Sequence, residues 1–240
     1  MRRILLLLCL ALGFFMAFGQ GSQVNLSLQV GYNFSRINPR QYNFAVDSIF
    51  NVENAGNEQL LSPARWGGGP TVSLALHRGR ASFRLTGRLF STSSTAFTTQ
   101  VGSEDLRTDI ALRGGHLSAD ITSRLVDLGR YTGFYVGAGL SANYFESSVG
   151  TVPRSSYDPD QPLTTTTENW KVGFKLHIPY RVVIPKAHVG FSVEPYFMVF
   201  FSNLDFGAFN EGLNGMRERT FSDSVDHFGT TFSVIFFLRE

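Results

Sequence analysis

The sequence predicts an all-β protein, an eight-stranded antiparallel up-and-down transmembrane β-barrel. Apolar residues alternate with small polar residues in several runs, long and short connections between the runs follow one another in order, and aromatic residues collect at the ends of the runs. A period of two indicates strands, because successive side chains of a strand point to opposite faces. The clearest runs last about 11 residues, which matches the roughly 9–11 residues of a tilted membrane strand.

The composition supports a membrane location and excludes several function classes. The 240-residue chain is 43% hydrophobic and 14% aromatic but only 17% charged, below the roughly 25% of soluble domains. The net charge of +2 comes from Arg2 and Arg3, and the chain from residue 20 onward is formally neutral. No basic surface for nucleic acid is therefore expected. The single cysteine excludes a disulfide framework and a cysteine-based zinc site.

The N-terminus has the pattern of an export signal. Arg2 and Arg3 precede an apolar run from Ile4 to Phe18, and the small residues Ala17 and Gly19 fit a cleavage site before Gln20. The run is shorter than the roughly 20 residues that a membrane-spanning helix needs. We therefore predict a signal peptide at residues 1–19 and a barrel domain at residues 20–240.

Eight strands account for the rest of the chain. The first begins at Val24 and places Val24, Leu26, Leu28, Val30, Tyr32 and Phe34 on one face. Strong alternation recurs at 134–144, 170–180 and 228–238, and weaker alternation occurs at 72–76, 83–89, 117–125 and 189–201.

The connections between these strands alternate in length. Long polar segments occupy residues 37–66, 91–106, 147–168 and 203–224, whereas the connections near residues 77–80, 129–131 and 184–186 are short. In outer-membrane barrels the short turns face the periplasm and the long loops face outward. The order therefore predicts that both termini are periplasmic.

Three strands contain irregular features. In the fourth strand the apolar positions change from even to odd numbers at Gly114-Gly115, which predicts a β-bulge or a bend just outside the membrane. Pro179 and Pro195 fall within the sixth and seventh strands, although a closed barrel needs nearly every ladder donor. We expect Pro179 near the periplasmic rim and Pro195 beside a local distortion.

The apolar face could point inward, as in a soluble lipocalin-like barrel, or outward to lipid. Small polar residues on the opposite face, the run length and aromatic residues at the strand ends favour lipid. The aromatic residues expected at the two interfaces are Tyr32, Phe34, Tyr144, Trp170, Phe201 and Phe228 near the loops and Phe134, Tyr180 and Phe236 near the turns.

Two neighbouring strands carry a family resemblance. The segment from His116 to Gly129, followed by Phe134-Tyr-Val-Gly-Ala-Gly-Leu140, resembles small porin-family (OmpA-like) outer-membrane β-barrel proteins, and Val172–Leu176 and Phe191–Tyr196 fit the same pattern. The resemblance covers residues 22–240 and implies a Gram-negative outer membrane as the location. It does not by itself establish transport.

The polar face should line a narrow lumen, which eight strands fill with side chains. The expected inward charges are Arg84, Arg88, Asp120, Arg124, Lys171, Lys175 and Glu194. Counted from the turns, Arg88 lies level with Asp120, and Lys175 lies level with Glu194. A satisfied polar core is the first interpretation, because an unpaired charge there would be costly. The excess of cations leaves a gated pore or a bound anion as the alternative.

No catalytic, cofactor or metal site is expected. The five histidines are scattered over different strands and heights, and no phosphate-binding or metal-binding spacing occurs. The aromatic residues of the first and fourth loops suit a protein interface, and they equally suit a cap packed over the barrel.

Three roles follow from this reading. The first is a non-enzymatic structural or surface-interaction protein that contacts outer-membrane lipid and a protein partner at its loops. The second is an accessory component of a secretion or assembly machine, and the third is a lipid-modifying enzyme.

Overall fold

The computed structural model describes residues 24–56, 59–98, 105–129, 132–156, 164–215, 222–223 and 227–238. The predicted signal peptide lies outside these residues. The strands are β1 (Val24–Ile37), β2 (Trp66–Arg78), β3 (Ala81–Thr98), β4 (Leu106–Gly129), β5 (Thr132–Pro153), β6 (Thr164–His177), β7 (Tyr180–Ile184), β8 (Val189–Phe200), β9 (Leu204–Asp205), β10 (Ser222–Asp223) and β11 (His227–Leu238).

The helices are short and lie mainly in the long loops. They are α1 (Arg40–Phe44), a π-helix (Ala45–Phe50), α2 (Asn51–Glu53) and α3 (Gly207–Asn214), with single 3-10 turns at Arg154–Ser156 and Pro185–Ala187. None of the helices in the described part of the chain is long and apolar enough to cross a membrane.

The long strands form one closed antiparallel ring. Each pairs with its neighbour in chain order from β1 to β6, β8 pairs with both β6 and β7, and β11 pairs with both β8 and β1. Because β6 and β7 follow one another along β5 and β8, they fill one position in the ring. The fold is therefore an eight-stranded up-and-down β-barrel, as predicted, and the closure leaves the ring without a free edge.

The prolines interrupt one strand without changing its register. Pro179 lies between β6 and β7, yet His177 opposite Tyr196 and Tyr180 opposite Val193 keep the same alignment on both sides of the gap. The Ile178 amide donates to the Pro195 carbonyl at 3.0 Å. Pro195 itself sits in the unbroken β8, so the distortion lies in the neighbouring strand.

The outward face of the ring is apolar. Along β4 the exposed fraction is 63% for Leu117 and 49% for Ile121, whereas the intervening Ser118 and Asp120 are buried at 2% and 0%. The same alternation runs along β8 over its whole length. An apolar exterior around a polar interior is the architecture of a membrane barrel and the reverse of a soluble one.

The predicted bulge at Gly114-Gly115 is wrong. The ladders of β4 with β3 and with β5 run without a register shift through both glycines, and the shifts occur near the turn, between Arg124 and Val126 and between Asp127 and Gly129. Ile110 and Leu112 point inward and are each 1% exposed. The apolar residues of β4 change face because the interior of the barrel is itself apolar at the end near the long loops. The backbone therefore needs no distortion.

The second loop is shorter than predicted. The sequence places a connection at residues 91–106, but β3 and β4 remain paired up to Thr98 opposite Leu106. Part of the first loop covers the outer edge of this hairpin, where the Phe97 amide donates to the Gln59 carbonyl at 3.1 Å. These backbone contacts let β3 and β4 extend beyond the top of β2.

The short turns lie at the end of the barrel opposite the long loops. The β2–β3 connection consists of two residues, and Gly79 there has a φ of 58°. Two-residue hairpins require a positive φ at this position, which glycine adopts without steric cost.

Candidate functional site

The candidate site is the interior of the barrel between the short turns and the apolar zone near the long loops. It contains buried polar side chains from every strand of the ring, because each strand contributes every second residue to the lumen. At its centre lies an ion cluster, defined here as Arg84, Arg88, Asp120, Lys175, His177 and Glu194.

Glu194, on β8, is the hub of the ion cluster. Its Oε1 accepts hydrogen bonds from Arg88 Nη2 at 2.7 Å, Arg84 Nη2 at 2.9 Å and His177 Nδ1 at 3.0 Å. Lys175 Nζ lies 3.2 Å from the same oxygen, and Arg84 Nη1 donates to Oε2. One carboxylate thus joins strands on opposite sides of the lumen.

Asp120, on β4, is the second anionic centre. Its Oδ2 accepts hydrogen bonds from Lys175 Nζ at 2.8 Å, Ser118 Oγ at 3.2 Å and Arg84 Nη2 at 3.4 Å. Lys175 and Arg84 therefore bridge the two carboxylates. Charges this deeply buried are stable only when they are paired. Removing one member of the ion cluster would leave its partners buried and unpaired, which strongly destabilises the folded state.

The structure places five of the seven proposed lumen residues in this cluster: Arg84, Arg88, Asp120, Lys175 and Glu194. Arg124 lies instead near the turns, where it pairs with Asp127 and donates to the Thr132 carbonyl at 3.3 Å. Lys171 lies on the inward row of β6, half-buried above the cluster.

The predicted level pairs are wrong. Asp120 lies opposite Arg84, and Arg88 lies opposite His116. Lys175 lies opposite Met198 rather than Glu194 and reaches that carboxylate along the lumen. Long side chains in a narrow barrel contact residues several positions away from their ladder partners.

Among the buried titratable residues that sequence reasoning did not place in the interior, two lie on β6 and its continuation β7. His177, on the same face as Lys175, contacts the hub carboxylate, and Arg181 is buried at 3% exposure beyond the proline interruption. Both occupy odd-numbered positions that continue the inward row of the sixth strand. That row was the signal that could have identified them.

An aromatic layer separates the ion cluster from the upper zone. The ring of Phe90 stacks on His116 at 5.2 Å, and the His116 and His227 rings lie 4.6 Å apart. His116 Nδ1 donates to Asn143 Oδ1 at 2.6 Å. Phe145 closes the layer from above, with its ring 5.8 Å from that of His116.

Above this layer the first and fourth loops form a cap, defined here as residues 38–56, 59–65 and 201–215. Tyr42 stacks on Phe209 at 4.1 Å and meets Phe206 edge-on at 5.7 Å. Asn214 Nδ2 donates to the Ala45 carbonyl at 3.2 Å, which ties the two loops together. Burial raises the pKa of Tyr42 well above its usual range. Met216, Arg217, Glu218 and Arg219, which follow these aromatic residues in the fourth loop, lie outside the described residues.

The cap and the upper barrel share one hydrophobic core. Within the described residues its members come from both loops and from the inward faces of the strands. They are Ile37, Tyr42, Ala45, Val46, Phe50, Leu61, Ala64, Phe90, Ala96, Ile110, Leu112, Phe145, Val149, Tyr196, Met198, Phe200, Leu204, Phe206 and Phe209.

Metal ligation is not supported by the side chains in the described ranges, which contain no group of three or more His, Cys, Asp or Glu residues arranged to hold an ion. What the contacts of the ion cluster show is that it holds opposite charges together inside the barrel.

Comparison with known proteins gives similarity of fold only. No protein-family model matches the sequence, and no curated protein matches it. Among solved structures, the attachment invasion locus protein Ail of Yersinia pestis, crystallised with the heparin analogue sucrose octasulfate, is 8% identical, with 90% of this chain and 99% of Ail covered and a TM-score of 0.45.

Two further structures are similar at the same level. Neisserial surface protein A is 11% identical, with 89% of this chain and 98% of that chain covered and a TM-score of 0.44. The outer membrane protease OmpT of Escherichia coli is 10% identical, with 90% and 96% covered and a TM-score of 0.35. The closed ring with its apolar exterior and polar interior has, on its own geometry, the fold of a small outer-membrane β-barrel.

Proposed function

We propose that this chain is an integral protein of the bacterial outer membrane with a closed lumen, and that it acts non-enzymatically, in a structural or surface-interaction role, through its cap. The observation that carries the proposal is the filled interior. Both carboxylates of the ion cluster are paired with cations, and an apolar core lies towards the loops from them.

The cap supports a role at the surface because it is a folded unit with an exposed apolar side. Val46 and Ala45 are buried at 0%, whereas Val52 and Leu60 are exposed at 65% and 39%. Apolar side chains that stand outside the lipid-facing rows are typical of protein interfaces. The preferred partner is therefore a protein, with outer-membrane lipid around the barrel wall.

The orientation follows from the lengths of the connections. The cap joins strands at one end of the barrel, and two-residue or similarly short turns join them at the other. In outer-membrane barrels the short turns face the periplasm. We therefore place the cap outside the cell and both termini in the periplasm.

Single cysteines test this orientation, since the chain's one cysteine, Cys9, lies in the predicted signal peptide. Val52→Cys in the cap should react with a membrane-impermeant maleimide on intact cells. The matched control is Arg80→Cys at the β2–β3 turn, where the native side chain is 77% exposed; it should react only after the outer membrane is opened. The opposite pattern would reverse the orientation.

The same cysteine tests the surface role. A photoreactive group at Val52→Cys is expected to give a discrete cross-linked product on intact cells, and adding Leu60→Ser should reduce its yield severalfold. Products formed only from position 80 would instead support an accessory component that contacts the turns. Lipid A whose mass spectrum changes when the protein is produced would contradict a non-enzymatic role.

A further inference from the structure

Arg181 is buried inside the barrel near the turns, outside the ion cluster. It lies on β7 opposite Ser192 on β8 and Gly133 on β5, and only 3% of its surface is exposed. Its guanidinium packs over the ring of Tyr135, with Cζ 4.5 Å from the ring centroid. This contact uses the flat face of the guanidinium and leaves its edges for hydrogen bonding.

One edge of that guanidinium has no partner. Nε and Nη2 of Arg181 are buried and make no hydrogen bond to any described residue. The N–H groups of Nε and Nη2 point in parallel from the same edge of the planar group. This fork matches two oxygens of a carboxylate, phosphate or sulfate group, and a buried guanidinium without such a partner is costly.

The charge balance of the interior points to an anion. Among the described Lys, Arg, Asp and Glu residues, the buried ones are four cations and two carboxylates, namely Arg84, Arg88, Lys175 and Arg181 against Asp120 and Glu194. Both carboxylates are already held by three of those cations. Water could accept the hydrogen bonds of Arg181, but it would leave its charge uncompensated.

The surroundings of Arg181 offer a further donor and a second, partly exposed arginine near the turns. Ser192 Oγ, on the residue opposite, is also buried without a partner among the described residues. Arg124 lies on the same Tyr135 ring at 5.9 Å and is 24% exposed. A Cβ on Gly133, the residue opposite Arg181 on β5, would come within 3.0 Å of Arg124 Nε, so the lack of a side chain there makes room for the Arg124 guanidinium.

We propose that Arg181 binds one small oxyanion of the phosphate or sulfate class, assisted by Ser192 and Arg124 and admitted from the turn end of the lumen. The anion supplies the negative charge that the ion cluster lacks. The site needs no pore through the cap and does not depend on the surface role proposed above.

The test uses the full-length mature barrel in detergent micelles and measures the midpoint of thermal unfolding. Inorganic phosphate replaces chloride at constant ionic strength, and phosphatidylglycerol is added in a separate arm to distinguish a lipid phosphate. Inorganic phosphate alone should raise the midpoint with the logarithm of its concentration above Kd, by about 5 to 10 °C at roughly 100 times Kd. Equilibrium dialysis with radiolabelled phosphate should show one anion per barrel.

Arg181→Gln should abolish the phosphate-dependent rise, and Arg181→Lys, which keeps the charge but loses the fork, should weaken phosphate binding at least tenfold. The matched control is Arg80→Gln, at the same end of the barrel but 77% exposed in its side chain, which should respond like the unmodified protein. An equal phosphate response in the Arg181 and Arg80 variants, a response to the lipid alone, or no saturable binding to the unmodified barrel would each overturn the proposal.

Discussion

Replacing Glu194 by alanine is expected to destabilise the barrel more than any other single change in the ion cluster. The substitution removes the acceptor shared by Arg84, Arg88, Lys175 and His177 and leaves these groups buried without it. Breaking a buried ion pair from one side costs about 3–5 kcal/mol. The free energy of unfolding in urea, followed by tryptophan fluorescence in lipid vesicles, measures the effect.

The control for this variant is Asp127→Asn, because Asp127 also pairs with two arginines but is 45% exposed. Its expected cost is under about 1 kcal/mol. Adding Arg88→Met to Glu194→Ala should recover part of the lost stability, since it removes one of the stranded cations. A Glu194→Ala variant no less stable than Asp127→Asn would contradict the role given to the ion cluster.

An arginine in place of Leu85 is expected to impair insertion into lipid. Leu85 lies on the outward face of β3, in a row with Leu74 and Ala119, and is 36% exposed. A cationic side chain on the lipid face near the middle of the membrane costs about 2–4 kcal/mol. Folding yield into lipid vesicles and the free energy of unfolding there should both fall.

Ser93→Arg is the matched control, on the same strand and the same outward face. Ser93 is exposed and lies in the part of β3 that extends past the top of β2, so its substitution should change stability by less than about 0.5 kcal/mol. Equal effects at positions 85 and 93 would show that the apolar exterior is not the membrane-facing surface.

The period-two pattern predicts the order of the eight strands and the faces of their membrane-length segments, but not the loop-end extensions of β3 and β4. Leu117 and Ser118 are assigned to opposite sides by alternation alone, and the structure exposes one and buries the other. Alternation sets the face of a residue because side chains alternate along any strand. The face of a residue can therefore be assigned without knowing which strands its own strand pairs with.

The contacts within the lumen could not be predicted in the same way. Arg84 and Glu194 are 110 residues apart and lie on strands that do not pair. Their contact depends on the stagger of the strands and on the reach of a long side chain across the barrel. Neither quantity is encoded in the pattern of a single strand.

The upper half of β4 shows a second limit. Ile110 and Leu112 continue an apolar alternation, but they pack against the cap rather than lipid. An apolar residue favours any dry environment, so alternation alone does not distinguish a membrane from a loop core. The change of phase at Gly114-Gly115 marks where the interior of the barrel becomes apolar, and the ladder passes through it without a bulge.

The central claim is that the lumen is closed by the ion cluster and the cap, and conductance across a planar bilayer tests it most directly. Purified barrel inserted into the bilayer is expected to produce no sustained, discrete current steps above the background of protein-free detergent. The conductance of Glu194→Ala, in which the ion cluster has lost its shared carboxylate, is measured for comparison. Sustained single-channel steps from the unmodified protein, with its cap intact, would contradict the closed lumen.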